Sequence, residues 1–457
     1  MIPIELDELV RITHGTLHHA PTQTVTIQEV STDSRKLTPG SLFIALVGET
    51  FDAHDFIAAA AEAGVAAALV QRVNPDVALP QIVVADTRIA LGQLGGWVRK
   101  QLDLKVIAIT GSCGKTTVKE MCAAILGQIA PVLATQGNLN NDIGVPQTLL
   151  RLTPDIHYAV VELGANHPGE IAWTVSLTKP DVAVVNNVSA AHLAGFGSVR
   201  GVAVAKTEIF GGLSEHGTAI LNADSEFYNW WHEILTVKTR TFSVHNPDAS
   251  FHALNITQDE QGYASFDMVT PLGTVPVTLP LPGVHNVSNA LSAAALTASI
   301  GATLEQIKQG LEQVKPVKGR FCVEHLRAGL TLIDDTYNAS VQSVKSAIDT
   351  LSVMPGYKVL AFGDMGELGD DAVILHREIG IHAHQKGIDA VLTVGKLAKH
   401  TAEAGKGQHF SDKQGLCEVL RSLIQQQQPI TILAKGARSS RMEDIVAFVK
   451  SSEEKAC

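Results

Sequence analysis

The chain has 457 residues, too many for one hydrophobic core, which predicts two to four domains. Its 35 Lys and Arg against 46 Asp and Glu leave a formal charge of −11, which excludes a general nucleic-acid binder but not anionic small substrates met by local positive groups. Five scattered cysteines (Cys113, Cys122, Cys322, Cys417, Cys457) with no Cys-x-x-Cys pair argue against a disulfide frame or a zinc site and for reduced thiols. The start, Met1-Ile-Pro-Ile-Glu-Leu-Asp, has no basic signal-peptide region. The longest apolar stretch, 57–70, is broken by Glu62 and is too short to span a bilayer, so a cytoplasmic protein is expected.

In chain order, residues 1–85 carry short strand signals at 42–46, 67–70 and 82–85, with an Ala-rich helix at 55–63 among them. An amphipathic helix at 87–102 leads into a second unit, 86–316. Strands are predicted there at 106–110, 131–135, 158–163, 182–187 and 218–222, with helices between them, the pattern of a parallel sheet covered on both faces. From Thr239 to Pro282 the pattern is β-rich with Gly and Pro turns, and 286–300 returns to helix. Val314-Lys-Pro-Val-Lys-Gly319 reads as a hinge into a third unit, 317–457. Strand signals at 330–334, 358–362, 390–394 and 430–434 predict a smaller doubly wound domain there. The expected fold is α/β in three domains.

The most informative stretch is Thr110-Gly-Ser-Cys-Gly-Lys-Thr-Thr117, lying between a buried strand (106–109) and a helical pattern (118–126). A glycine-containing turn there presents backbone N–H groups and a helix N-terminus to an anion. Lys115 adds a positive charge for the outer phosphates, and Thr116 a hydroxyl for Mg²⁺. A standard phosphate loop carries Gly where this chain has Ile109, so the loop is the shorter Gly-x-x-Gly-Lys-Thr form. ATP is the expected nucleotide.

Three further segments carry chemistry. Val160-Val-Glu-Leu-Gly164 ends a buried strand in Glu162, at the edge where α/β ligands bind. Mg²⁺ on phosphates is one partner for it, and a lysine or a helix N-terminus is another. Val182-Ala-Val-Val-Asn-Asn-Val188 leads to His192 on the same edge, where the histidine is either a ligand or structural. Lys206 lies among apolar and small residues in Val204-Ala-Lys-Thr-Glu-Ile-Phe210, a setting from which a lysine is expected to reach out to solvent.

In this order the short loop, the strand-end Glu, the Asn-Asn…Ala-His exit and the Ala-Lys-x-Glu-Ile helix resemble the Mur ligase family. The resemblance continues in Gly283-Val-His-Asn286-Val-Ser-Asn289, Val317-Lys-Gly-Arg320, Asp334-Asp335-Thr-Tyr337-Asn338 and Lys435-Gly-Ala-Arg438, so it spans nearly the whole chain. Gly363-Asp-Met-Gly-Glu-Leu-Gly369 is similar to the type that adds D-alanyl-D-alanine to UDP-N-acetylmuramoyl-tripeptide, and the Asp-Asn-Pro-Arg motif of the ligase adding a single diamino acid is absent. Ser31-Thr32-Asp33-Ser34-Arg35, with Phe51 and His54, resembles the family's UDP-substrate module.

The resemblance implies ATP-dependent amide formation through an acyl phosphate. By position it implies that Thr110, Gly111, Ser112, Cys113, Gly114, Lys115, Thr116 and Thr117 cradle the phosphates. It places Thr116 and Glu162 on one Mg²⁺, and His192 with a CO₂-derived carbamate of Lys206 on a second. It gives Asn286 and Asn289 to adenine, Arg320 to the γ-phosphate and Asp335 to the ribose, and Tyr337, Asn338, His376, Lys435 and Arg438 to the dipeptide side. A monomer closing its domains around ligands is expected. The chain departs from the family pattern at Cys113 (usually Ser), at Ser340-Val341 (often Asn-Pro) and at Ala437 (usually Ser). Competing readings are the neighbouring diamino-acid ligase, a folylpolyglutamate synthetase, which lacks the 31–35 module, and a catalytically silent nucleotide-binding regulator.

Overall fold

The structure is a computed structural model that describes residues 1–48 and 50–454. Three α/β units follow one another, each built on its own main sheet. The first has five strands in the order Thr16–His18, Gln81–Val83, Ala67–Val70, Leu42–Ile44, Val30–Ser31, with only the first pair antiparallel. The Ala-rich helix runs Ile57–Glu62 behind a 3₁₀ turn, Ala53–Phe56, whose start is capped by the Asp52 carboxylate accepting the His54 N–H. A helix absent from the expectations, Leu6–Thr13, buries Leu6, Leu9 and Thr13, opens on Asp7 and Glu8, and ends at left-handed His14.

The second unit is a nine-stranded sheet. Seven strands run parallel in the order Val132–Ala134, Tyr158–Glu162, Lys105–Thr110, Val182–Val185, Thr218–Asn222, Lys238–Ser243, Phe251–Gln258. The meander Phe251–Gln258, Tyr263–Thr270, Gly273–Pro282 completes it antiparallel. The uniform burial of Val182–Val185 follows from helices on both faces. Lys115–Leu126 and His285–Ala298 pack on one side, and Thr87–Lys100 and Glu170–Thr178 on the other. Helix Thr87–Lys100 sits inside the core that the first two units share, where a side chain at Gly95 would meet Pro146 Cα at 2.9 Å. Chain order reverses at strand Lys105–Thr110, so the crevice beyond its carboxyl end is where an α/β sheet of this kind binds ligands.

The third unit has six strands in the order Cys322–Arg327, Leu330–Asp335, Ile430–Lys435, Tyr357–Phe362, Ala390–Val394, Gln408–Phe410, all parallel except the first. Helices Val341–Val353 and Ala372–Gln385 cover one face, and Lys413–Gln426 and Glu443–Glu454 the other. Among the described residues no helix is long and apolar enough to cross a membrane.

Candidate active site

A cleft of about 820 Å³ opens between the carboxyl ends of the central strands and the third unit. One wall is the 110–117 loop. Gly114 adopts φ +76°, and a Cβ there would lie 2.4 Å from Asn289 Oδ1, so only glycine fits. The loop is pinned by Asn187, which accepts the Cys113 N–H at Oδ1 (2.8 Å) and the Ser112 N–H at its carbonyl (3.0 Å). Helix Lys115–Leu126 starts from Gly114 with no side-chain cap, which leaves its first-turn N–H groups for an anion. Lys115 donates to Gly111 O at 2.7 Å. Burial lowers its pKa, while the negative charge of Glu162 opposes the shift.

Glu162 is buried at the end of its strand. Its Oε2 accepts from the Thr116 hydroxyl at 3.0 Å and its Oε1 from Asn140 Nδ2 at 2.9 Å. Neither a lysine nor a helix N-terminus hydrogen-bonds to it among the described residues. The same Thr116 hydroxyl accepts from Arg320 Nη2 at 3.1 Å, and the Arg320 guanidinium lies 4.0 Å from the Tyr337 ring centroid. Arg320, Asp335, Tyr337, Asn338 and Lys435 bring the third unit to the cleft wall.

Lys206 corrects an expectation. It is 1% exposed rather than solvated, and it lines the cleft with no hydrogen-bond or ion-pair partner among the described residues. Its helix, Val199–Thr207, turns Val202 and Ala205 onto Phe196, which draws the lysine inward with them. Burial, reinforced by the charge of Lys115, lowers its pKa to about 7. His192 also lines the cleft, in the left-handed conformation (φ 53°) at the start of the short helix Leu193–Phe196. Its Nδ1 is in ion-pair contact with Glu367 of the third unit, without the alignment of a hydrogen bond. Burial lowers its pKa and Glu367 works against that.

A chain of amides closes the far end. Asn186 Nδ2 donates to Asn289 Oδ1 (3.0 Å), Asn289 Nδ2 to Asn286 Oδ1 (2.9 Å), and Asn286 Nδ2 to Pro282 O (2.8 Å). Across the cleft, Lys435 pairs with Asp335 at 2.5 Å and donates to Asn338 O at 3.0 Å. Burial raises the Asp335 pKa against the pull of Lys435.

Other expected site residues lie elsewhere. His376 is 0% exposed and off the cleft wall. Its Nδ1 meets Ala372 O at 2.7 Å and its Nε2 accepts the Met365 N–H at 3.0 Å, so its expected place beside the dipeptide is corrected to that of a buried structural staple. Arg438 is mostly exposed, pairs with Glu443 and stands outside the cleft. Ser31, Thr32, Asp33, Ser34, Arg35, Phe51 and His54 do not line the cleft either. Phe51 is 59% exposed. Asp33 holds the Arg35 guanidinium through two hydrogen bonds of 2.9 and 3.0 Å and the Arg35 backbone N–H through a third of 3.1 Å, and Thr32 accepts from Gln147 Nε2 of the second unit at 2.8 Å. His54 is buried, held between Asp52 Oδ1 (2.6 Å) and the Gln71 N–H (2.8 Å), which makes it too a structural residue. Asn140, Asn187 and Glu367 were not foreseen. Asn140 follows the carboxyl end of strand Val132–Ala134, a position that marks it for the ligand edge. Among the described residues no three His, Cys, Asp or Glu side chains converge as a metal group.

Profiles of one family match in all three parts: "Mur ligase family, catalytic domain" over 26–95, "Mur ligase middle domain" over 109–297 and "Mur ligase, glutamate ligase domain" over 319–438. The UDP-N-acetylmuramoyl-tripeptide--D-alanyl-D-alanine ligase of Escherichia coli K12 is 53% identical over 99% of both chains. The crystal structure of MurF from Acinetobacter baumannii superposes with TM-score 0.93 at 39% identity, covering 98% of this chain and 99% of that one. MurF ligase from Thermotoga maritima in complex with ADP gives TM-score 0.84 at 26% identity, covering 94% and 98%. Matched in each of its parts by the family's profiles and over its whole length by these relatives, the chain belongs to the Mur ligase family.

Proposed function

We propose that this chain is the ATP-dependent ligase that joins D-alanyl-D-alanine to UDP-N-acetylmuramoyl-tripeptide, acting as a cytoplasmic monomer in peptidoglycan precursor synthesis. The observation that carries the reading is the 53% identity over 99% of both chains to the Escherichia coli ligase of that name.

The chemical difficulty is to bring a substrate carboxylate against an anionic γ-phosphate. The cleft's own groups answer it with Lys115 on the central wall and Arg320 on the opposite wall, two cations that count most as charge spreads over the transferring phosphoryl group. The carboxylate attacks phosphorus and ADP leaves. The free amine of D-alanyl-D-alanine then attacks the acyl phosphate carbon, and phosphate leaves as the amide forms. Asn286 and Asn289 would face adenine. Asp335 would meet the ribose while keeping its bond to Lys435, and Tyr337, Asn338 and Lys435, which line the cleft, would face the incoming dipeptide.

Thr116 and Glu162 suit Mg²⁺, since they set two hard oxygen donors 3.0 Å apart, with Glu162 on the cleft wall. The chemistry supplied by Mg²⁺ held there would be neutralisation of phosphate charge. A second ion would rest on His192 and on Lys206 as a carbamate. A buried lysine without a partner and with a pKa near 7 is often the neutral amine, which adds CO₂: an N–C bond forms, one proton leaves, and the group ends at −1.

Incubation with ATP, UDP-N-acetylmuramoyl-tripeptide and either D-alanyl-D-alanine or a diamino acid tests the reading. ADP and phosphate are expected to form only with tripeptide and dipeptide together. Turnover with the diamino acid instead would assign the chain to the neighbouring ligase, and ATP consumption without either substrate would overturn the ligase reading.

A further inference from the structure

Loop 363–369 leaves strand Tyr357–Phe362 and is unusually well fixed for an excursion from a sheet. The Asp364 carboxylate accepts the backbone N–H groups of Lys396 (2.9 Å), Leu397 (2.9 Å) and Ala398 (2.7 Å). The next residue, Met365, donates its N–H to buried His376. The loop then carries Glu367, in a left-handed conformation (φ 60°), across to the second unit. There Glu367 makes two separate contacts: its carbonyl accepts the Ala194 N–H at 3.3 Å, and its carboxylate meets His192 Nδ1. His192 Nε2 has no hydrogen-bond partner among the described residues, and the ring lines the cleft.

We propose that Glu367 is a positioning residue for His192, delivered by the third domain, so that the histidine acquires its working orientation only when the domains are together. A carboxylate at Nδ1 favours the tautomer with the proton on that nitrogen and leaves the Nε2 lone pair for a ligand. Within its own domain the ring is held only by an edge-on contact with Phe196 (centroids 6.5 Å apart), since its short helix offers it no hydrogen bond. The proposal rests on the reading that His192 serves the second ion. The loop's anchors, the three-fold capped Asp364 and the buried His376, act together with Met365 and Leu368, which the loop buries in the third domain's core, to hold Glu367 rigidly at the domain's edge.

The experiment uses the full chain with substitutions E367A, E367Q and H192A, together with hydrogen exchange at Ala194. Turnover is measured against Mg²⁺ concentration at saturating substrates. In E367A the Mg²⁺ needed for half-maximal turnover is expected to rise about tenfold, with KM for ATP within about twofold, as for other residues that orient metal-binding histidines. E367Q keeps an acceptor oxygen and is expected to recover most of the loss. The Ala194 amide bonds to the backbone of residue 367, so with a non-hydrolysable ATP analogue and UDP-substrate bound it stays protected in wild type and in E367A alike. Loss of protection together with activity in E367A would make Glu367 a docking contact and overturn the proposal. So would an unprotected Ala194 in the ligand-bound wild type. An unaltered Mg²⁺ dependence in E367A beside an inactive H192A would overturn it while leaving the site reading intact. Wild-type turnover in H192A would overturn the site reading beneath it.

Discussion

Two lysines on the cleft wall are almost fully buried, Lys206 at 1% exposed and Lys435 at 2%, and their surroundings are opposite. Lys435 ends a central strand of the third domain and is saturated by Asp335 and by Asn338 O. Lys206 sits on a helix of the middle domain with no partner among the described residues, and its pKa falls to about 7. Burial alone therefore does not mark a lysine as chemical. A paired buried charge holds a structure together, whereas an unpaired one imposes a cost that a ligand or a covalent change can relieve.

The comparison breaks most sharply in turnover. Lys206→Ala is expected to stay folded and lose at least ~10²-fold in activity, as does Lys115→Ala, by analogy with other electrostatic stabilisers. Acetate should partly restore Lys206→Ala by filling the vacated space, and chloride at equal ionic strength should not. Full activity of Lys206→Ala in CO₂-depleted buffer would remove the contrast with Lys435. On the other side, Lys435→Met leaves Asp335 buried without its counter-ion and is expected to cost about 3–5 kcal/mol in urea unfolding. Adding Asp335→Asn to the same chain should return most of it, and no recovery would show that the pair is not the reason.

A subtler difference lies in pH. The folded pKa of Lys206 is near 7, below the ordinary lysine value of 10.5, so between those values the unfolded chain holds the extra proton. Wild-type stability from this group therefore climbs as pH rises from about 7 toward 10.5, and the burden is fully present below that window. Lys206→Met should be more stable than wild type in CO₂-free buffer near pH 7, with the gap closing toward pH 10, as thermal unfolding across that range would show. The smallest effect is expected at Cys113, whose Sγ lies 3.1 Å from Ser340 Oγ across the domains. Cys113→Ser keeps size and polarity there, so kcat and KM for ATP should stay within about twofold. A larger change would mean that the thiol itself matters.

Much of this site is legible in one dimension because the phosphate loop, the strand-end Glu162 and the parallel strands are local patterns. Strand bounds agree within a few residues, as at 106–110 against Lys105–Thr110 and 390–394 against Ala390–Val394. What the residue order hides is whatever depends on distant chain. Lys206 has a helical neighbourhood that suits a solvated lysine, and only packing on Phe196 turns it inward. His54 and His376 carry chemical side chains, yet each is spent on a backbone N–H of another segment. The pairing of Glu367 with His192 joins two domains and has no local trace. Leu6–Thr13 was open to reading, since its apolar residues fall at helical spacing behind an acidic first turn.

The amide chain from Asn186 through Asn289 and Asn286 to Pro282 O has an arrow, because Asn186 donates into it and Asn289 and Asn286 each accept from behind and donate forward. Asn289→Asp replaces one NH₂ by oxygen at nearly constant volume, yet it sets two acceptors face to face at Asn286. Turning the Asn286 amide over only hands the fault on to the proline carbonyl, which has no second orientation. A change invisible to shape, of the kind slow deamidation produces, would thus be felt along the whole row and at Gly114, whose missing side chain makes room for the Asn289 oxygen.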